Sequence, residues 1–177
     1  MLWLLLPLAL ALAQEDCVPS EEPVYAASVV SFVVGPGVEL LYGDPENALG
    51  APDFHEGAGA VSLGNRAKGA AELVVALGRA VVTDGPGMDL IVHEQGPSAE
   101  PTELAVSSDG VVWHTVGVIE GAVRGVDLKG QVPKGRHFGL VRLRTASRRE
   151  AAGPWAGPDI DAIEVRHGCV PPTRPNA

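Results

Sequence analysis

The stretch ELAVSSDGVVWHTVG, Glu103 to Gly117, holds the clearest local signal in the chain. Two alternating runs flank Ser108-Asp109-Gly110. Leu104 and Val106 share one parity of the first run. In the second, Val112, His114 and Val116 alternate with Val111, Trp113 and Thr115. Such alternation puts successive side chains on opposite faces of a strand. Asp-Gly between two such runs predicts a hairpin, because glycine enters the positive-φ region at little steric cost.

The same pattern extends outward in both directions. Short apolar runs rich in Val are separated by turn residues, with 22 Gly and 15 Pro in 177 residues. Strands are predicted at Ser28–Val34, Gly59–Leu63, Ala71–Leu77, Asp89–Glu94, Glu103–Ser108, Val111–Val118, Arg124–Asp127, Phe138–Thr145 and Ile160–His167. Glu46–Leu49 suits one helical turn. Many short strands with Gly and Pro punctuation predict an all-β antiparallel sandwich or barrel. No internal repeat or heptad pattern is visible.

The ends differ from this middle. Residues 1–13, MLWLLLPLALALA, carry no charged side chain and close on the small-x-small triplet Ala11-Leu12-Ala13. This predicts a cleaved export signal, although no Lys or Arg precedes the apolar run. A short membrane anchor is the alternative, but a span takes about 20 residues. Residues 14–24 and 170–177 look like Pro-rich polar tails around a single domain at 25–169. The mature chain is expected to be secreted, periplasmic or displayed at the cell surface, with no membrane span after cleavage.

Cys17 and Cys169 bracket the domain. In an exported chain, one such pair predicts a disulfide tying the ends together. Two free buried thiols remain the alternative. Thirteen Lys and Arg stand against 22 Asp and Glu, a net charge of −9. That excess repels phosphate backbones and disfavours nucleic-acid partners.

Several further motifs support a resemblance. Ser107, Asp109, Gly110 and Trp113 match the Ser-x-Asp-Gly-x-x-Trp hairpin of discoidin-type, or coagulation-factor type C, domains. The run HFGLVRLRT, 137–145, is similar to the strand that follows it in those domains. The order NALGAPD, AVSLG, AELVVALGRAVVTDGPGMDLIVHE and GPDIDAIEV also resembles a group of bacterial cell-surface proteins of the galactose-binding-like jelly-roll type. The resemblance covers most of Tyr25 to His167. In place of the Asp-Gly…Thr-x-Trp segment of many discoidin domains, this chain has Asp44 to Asp53. The resemblance implies a jelly-roll β-sandwich that binds carbohydrate without catalysis, often with a structural calcium.

Acidic loops supply candidate calcium ligands: Asp44 and Asp53 in GDPENALGAPD, Asp84 and Asp89 in TDGPGMD, Asp159 and Asp161 in GPDID. Calcium takes six to eight oxygens on irregular loops. Aspartates also cap turns through their own backbone, which explains the same residues without a metal. Trp155, in the Gly- and Pro-rich loop EAAGPWAGPD, is a candidate platform for a sugar face, or else a plug for the end of the sandwich. Arg142 and Arg144 share one face of a strand. They can donate to sugar hydroxyls or carboxylates, or can pair with neighbouring acids.

Other chemistries have less support. None of the five histidines pairs at His-x-x-x-His spacing and there is no Cys-x-x-Cys, which argues against zinc. No Gly-x-Ser-x-Gly elbow is present. A glycoside hydrolase needs two carboxylates about 5–9.5 Å apart, a distance no sequence displays. The leading expectation is therefore a non-enzymatic binder of cell-surface glycan. A structural or adhesive protein-contact module comes second, and a glycoside hydrolase third.

Overall fold

The computed structural model describes residues 17–53, 59–66, 71–96 and 99–172. The predicted export signal and His55 lie outside them. Thirteen strands run in chain order: β1 Val18–Pro19, β2 Val24–Tyr25, β3 Ser28–Val33, β4 Val61–Ser62, β5 Glu72–Ala76, β6 Val81–Val82, β7 Leu90–Glu94, β8 Ala99–Ser107, β9 His114–Gly121, β10 Gly125–Val126, β11 Leu140–Thr145, β12 Asp159–Val165 and β13 Gly168–Val170. Short 3-10 turns at Leu40–Tyr42 and Pro45–Ala48 complete the set.

The protein is an all-β antiparallel sandwich. One sheet has the order β3-β5-β11-β8-β9, and the other β10-β7-β12-β2, with β4 also paired to β12. A small sheet, β1-β13-β6, closes one end. The chain passes repeatedly between the two large sheets, the jelly-roll habit that the sequence resemblance implies. Among the described residues no helix is long and apolar enough to cross a membrane.

Period-two patterning explains the core. In β11, Val141 and Leu143 point inward while Arg142 and Arg144 point outward. Val141 lies between Val75 and Val106, and Leu143 between Leu73 and Leu104, so two apolar rows cross three strands. All six side chains are fully buried. Each contributes about 1.5–3 kcal/mol relative to exposure. β7 follows the same rule: Leu90, Val92 and Glu94 are buried, whereas Ile91 and His93 are only half-buried. The parity that buries two aliphatic residues therefore also buries a carboxylate.

Two expectations need adjustment. The hairpin at 103–118 forms, but β9 starts at His114, not at Val111. The Asp109 carboxylate accepts from the amides of Val111 (2.8 Å) and Val112 (2.9 Å), and the Trp113 indole donates to the Gly110 carbonyl (3.1 Å). These bonds coil residues 108–113 into a wider loop and leave Val111 and Val112 exposed. The presumed tails are also paired: β1 lies against β13, and β2 against β12. Cys17 and Cys169 form the predicted disulfide, closing 152 residues.

Candidate functional site

β12 begins at a cavity of about 310 Å³ lined by Tyr42, Ala60, Ser62, Gln95, Gly96, Trp155 and Asp159. Trp155 is 51% exposed, so it does not plug the sandwich. Tyr42 meets it edge to face with ring centroids 5.6 Å apart.

The loop carrying Trp155 is fixed by its neighbours. The Ala156 carbonyl accepts from the Gly64 amide (2.8 Å), the Pro158 carbonyl from Leu63 (2.9 Å) and the Pro154 carbonyl from Glu39 (2.8 Å). Asn65 brackets Ala151, accepting from its amide at 2.7 Å and donating to its carbonyl at 3.0 Å. Where these segments cross, only glycine fits. A Cβ on Gly157 would lie 2.2 Å from the Gly64 carbonyl oxygen, and one on Gly64 would lie 2.5 Å from the Gly35 backbone. Gly64 and Gly157 also have φ of 91° and 78°, the left-handed region that glycine tolerates. Trp155 is thus presented from a braced loop.

The floor is acidic. Asp159 pairs across the strands with Ser62, whose hydroxyl donates to its carboxylate. The Gln95 amide donates to the Asp159 carbonyl at 2.9 Å. Behind it lies Glu94, opposite Ile160 and only 3% exposed. One Glu94 oxygen accepts from the Glu100 amide at 2.9 Å, and the other is buried with no donor. Burial pushes the Glu94 carboxyl up to about 7, with Glu100 and Asp159 adding repulsion and the Glu100 amide and Arg124 opposing it. Burial likewise raises Asp159 to about 6 against the Ser62 hydroxyl, and it raises Glu100. Desolvation without enough donors is the shared cause.

The other predicted residues are dispersed. Arg142 and Arg144 do not line the cavity. Arg142 stacks on Trp113, 4.4 Å from the ring centroid, and both arginines reach Glu72. Trp113 is half-buried beneath that guanidinium. Asp44 accepts from the Glu46 amide (3.1 Å) and caps the Pro45–Ala48 turn, the backbone role open to it from the start. Asp53 is exposed on the following loop. Asp161 sits at the irregularity between Ile160 and Ala162, is buried, and does not line the cavity.

Asp84 and Asp89 do meet, and they are joined by Asp127, with one oxygen of each within 4.8 Å of the others. Asp89 is fully buried. It accepts from Gly85 (2.8 Å), Leu128 (2.7 Å) and the His167 ring (2.9 Å).

Sequence reasoning missed Tyr42, Ser62, Gln95, Glu94 and Glu100. For Glu94 a signal existed, its parity with Leu90 and Val92. For the others none did, because folding alone brings residues 42, 62, 95, 155 and 159 together.

No family model matches the chain, and no curated protein matches it. Among solved structures it is similar to part of a glycoside hydrolase from Clostridium perfringens carrying two Glu-to-Gln substitutions, in complex with its substrate GlcNAc-alpha-1,4-galactose. That similarity has 12% identity and a TM-score of 0.40, over 90% of this chain and 16% of that one. It is also similar to a family 89 glycoside hydrolase from Clostridium perfringens in complex with PUGNAc, with 13% identity and a TM-score of 0.37 over the same shares. This chain spans less than a fifth of either protein's length.

Proposed function

We propose that this chain is an exported, non-catalytic carbohydrate-binding module of the galactose-binding-like type, acting in the periplasm, outside the cell or at its surface. Its ligand rests on Trp155 and Tyr42. The observation that carries the reading is the half-exposed indole on a braced loop, above a cavity with amide, hydroxyl and carboxylate groups. Aromatic platforms with a few placed polar groups suit sugar rings. The disulfide supports an oxidising compartment. Glycoside hydrolysis ordinarily uses two carboxylates at the bond. Among the described residues one carboxylate, that of Asp159, lines this cavity.

Trp155→Ala tests the reading. It should change stability by less than about 1 kcal/mol, far from the ~3–5 kcal/mol of an emptied core site, and should abolish retention on polysaccharide. Urea melts beside a pull-down on a polysaccharide panel measure both. A large stability loss with unchanged retention overturns the platform.

A protein-contact role is the second reading. Leu40 and Leu41 are 97% and 64% exposed beside Tyr42, and exposed apolar pairs suit partner surfaces. The proposal also includes a calcium ion at Asp84, Asp89 and Asp127. Their charge and spacing fit a hard divalent cation, and carbonyls and water would complete the shell.

A further inference from the structure

We propose that the cavity beneath Trp155 and Tyr42 selects a cationic group, a primary ammonium of the kind an amino sugar carries, over a neutral sugar face. This rests on the carbohydrate reading and names the ligand class within it.

Among the described residues the lining has no Lys, Arg or His. It offers two aromatic rings, one carboxylate, one side-chain amide and two hydroxyls, those of Ser62 and Tyr42. Ammonium groups are attracted to the faces of Trp and Tyr and to a carboxylate, more strongly where water is partly excluded. A neutral sugar could donate a hydroxyl to Asp159 but would bring no charge to balance it.

The surroundings reinforce the sign. Glu94 of β7 and Glu100 of β8 act electrostatically on this corner, and one Glu94 oxygen has no donor. The opposing cation is Arg124. Its guanidinium donates to the carbonyls of Glu94 (2.9 Å) and Gly96 (3.0 Å), so it is engaged with main chain. The Pro45–Ala48 turn packed on β12 adds only Asp44 and Glu46, both exposed and acidic, and Tyr42 faces the cavity from the turn before it. Three desolvated carboxylates therefore face one committed guanidinium.

Attraction of the ammonium requires ionised Asp159. The elevated carboxyls make that ionisation incomplete in mild acid, whereas the sugar amine, like an α-amino group, gains its proton as pH falls below about 8. Affinity should therefore be greatest near pH 7 and fall toward pH 5, and binding near pH 6 should release protons.

The test is calorimetric titration of the full chain in 150 mM salt with the β-1,4 trimer of glucosamine and with its N-acetylated counterpart. The amine trimer should bind at least tenfold more tightly at pH 7, and the ratio should approach one at pH 5. Asp159→Asn should erase the preference and leave the N-acetylated trimer unaffected. If that variant does not fold, the wild-type pH dependence carries the test. Equal affinity, or preference for the N-acetylated trimer, overturns the cationic assignment and leaves the carbohydrate reading standing. Amine binding that survives both Asp159→Asn and Trp155→Ala is general attraction to an acidic chain and also overturns it. Retention of neither trimer and of no polysaccharide overturns both.

Discussion

β7 has a buried carboxylate at each end, and the two are treated differently. Asp89, just before the strand, is fully buried, with two backbone amides and an imidazole around it. Glu94, the last residue, is almost as buried, but a single amide reaches one of its oxygens. Antiparallel β12 connects the same two regions. Asp159 begins it near Glu94, and His167 lies just beyond its other end against Asp89. Burial alone therefore does not determine what a carboxylate costs; the number of donors does. The Asp89 end uses its charge to fasten loops together. The Glu94 end holds a carboxyl that the protein itself does not satisfy, and that carboxyl keeps its proton to about pH 7.

Removing the charge at each end should give effects of opposite sign. Asp89→Asn leaves an amide N–H facing groups that are themselves donors. It should destabilise by about 3 kcal/mol, the usual scale for breaking a buried charged network, as read by urea melts at pH 7. A loss below 1 kcal/mol would break the comparison.

Glu94→Gln should stabilise. The folded carboxyl holds its proton to about pH 7, whereas the ordinary value is 4.5. Between those limits the unfolded chain deprotonates first, so wild-type stability falls as pH rises from about 4.5 to 7. The penalty is absent below that window and complete above it. The variant should gain about 1–3 kcal/mol at pH 8 and almost nothing at pH 4, seen in paired thermal melts. A gain independent of pH would point to packing instead.

The smallest effect sharpens the Asp89 side. If calcium binds Asp84, Asp89 and Asp127 with the millimolar affinity of weak extracellular sites, 5 mM calcium should add about 1 kcal/mol over chelator. Asp84→Asn should remove that gain. Superimposable melts would remove calcium from the proposal.

Much of the fold was legible because it rests on period-two patterning. All nine predicted strands have counterparts, and the Pro45–Ala48 turn nearly coincides with its prediction. β1, β2, β6 and β13 were not legible: each has only two or three residues and, unlike β4 and β10, none lies within a longer run predicted as a strand. The wider loop at 108–113 was hidden because the Asp109 side chain captures two amides just beyond it, a local bond that the Asp-Gly signal does not specify. At the site, Trp155 stood out by its loop composition. Arg142 and Arg144 stood out equally, yet Glu72 across the strands engages them. Nothing in a one-dimensional pattern separates an arginine awaiting a ligand from one already paired.

The glycine crossing at Gly35, Gly64 and Gly157 has a thermodynamic consequence. A loop with no room for a methyl group at its base has little freedom left to lose when a ligand arrives. Association at Trp155 should then carry a small ordering cost. Its measured signature should be dominated by desolvated aromatic surface, a negative heat-capacity change, and not by segmental freezing. The base and the tip are also separable. On the proposed reading, side chains at 152 and 155 could change affinity without reopening the crossing, whereas one added carbon at 157 would displace the whole Trp155 loop.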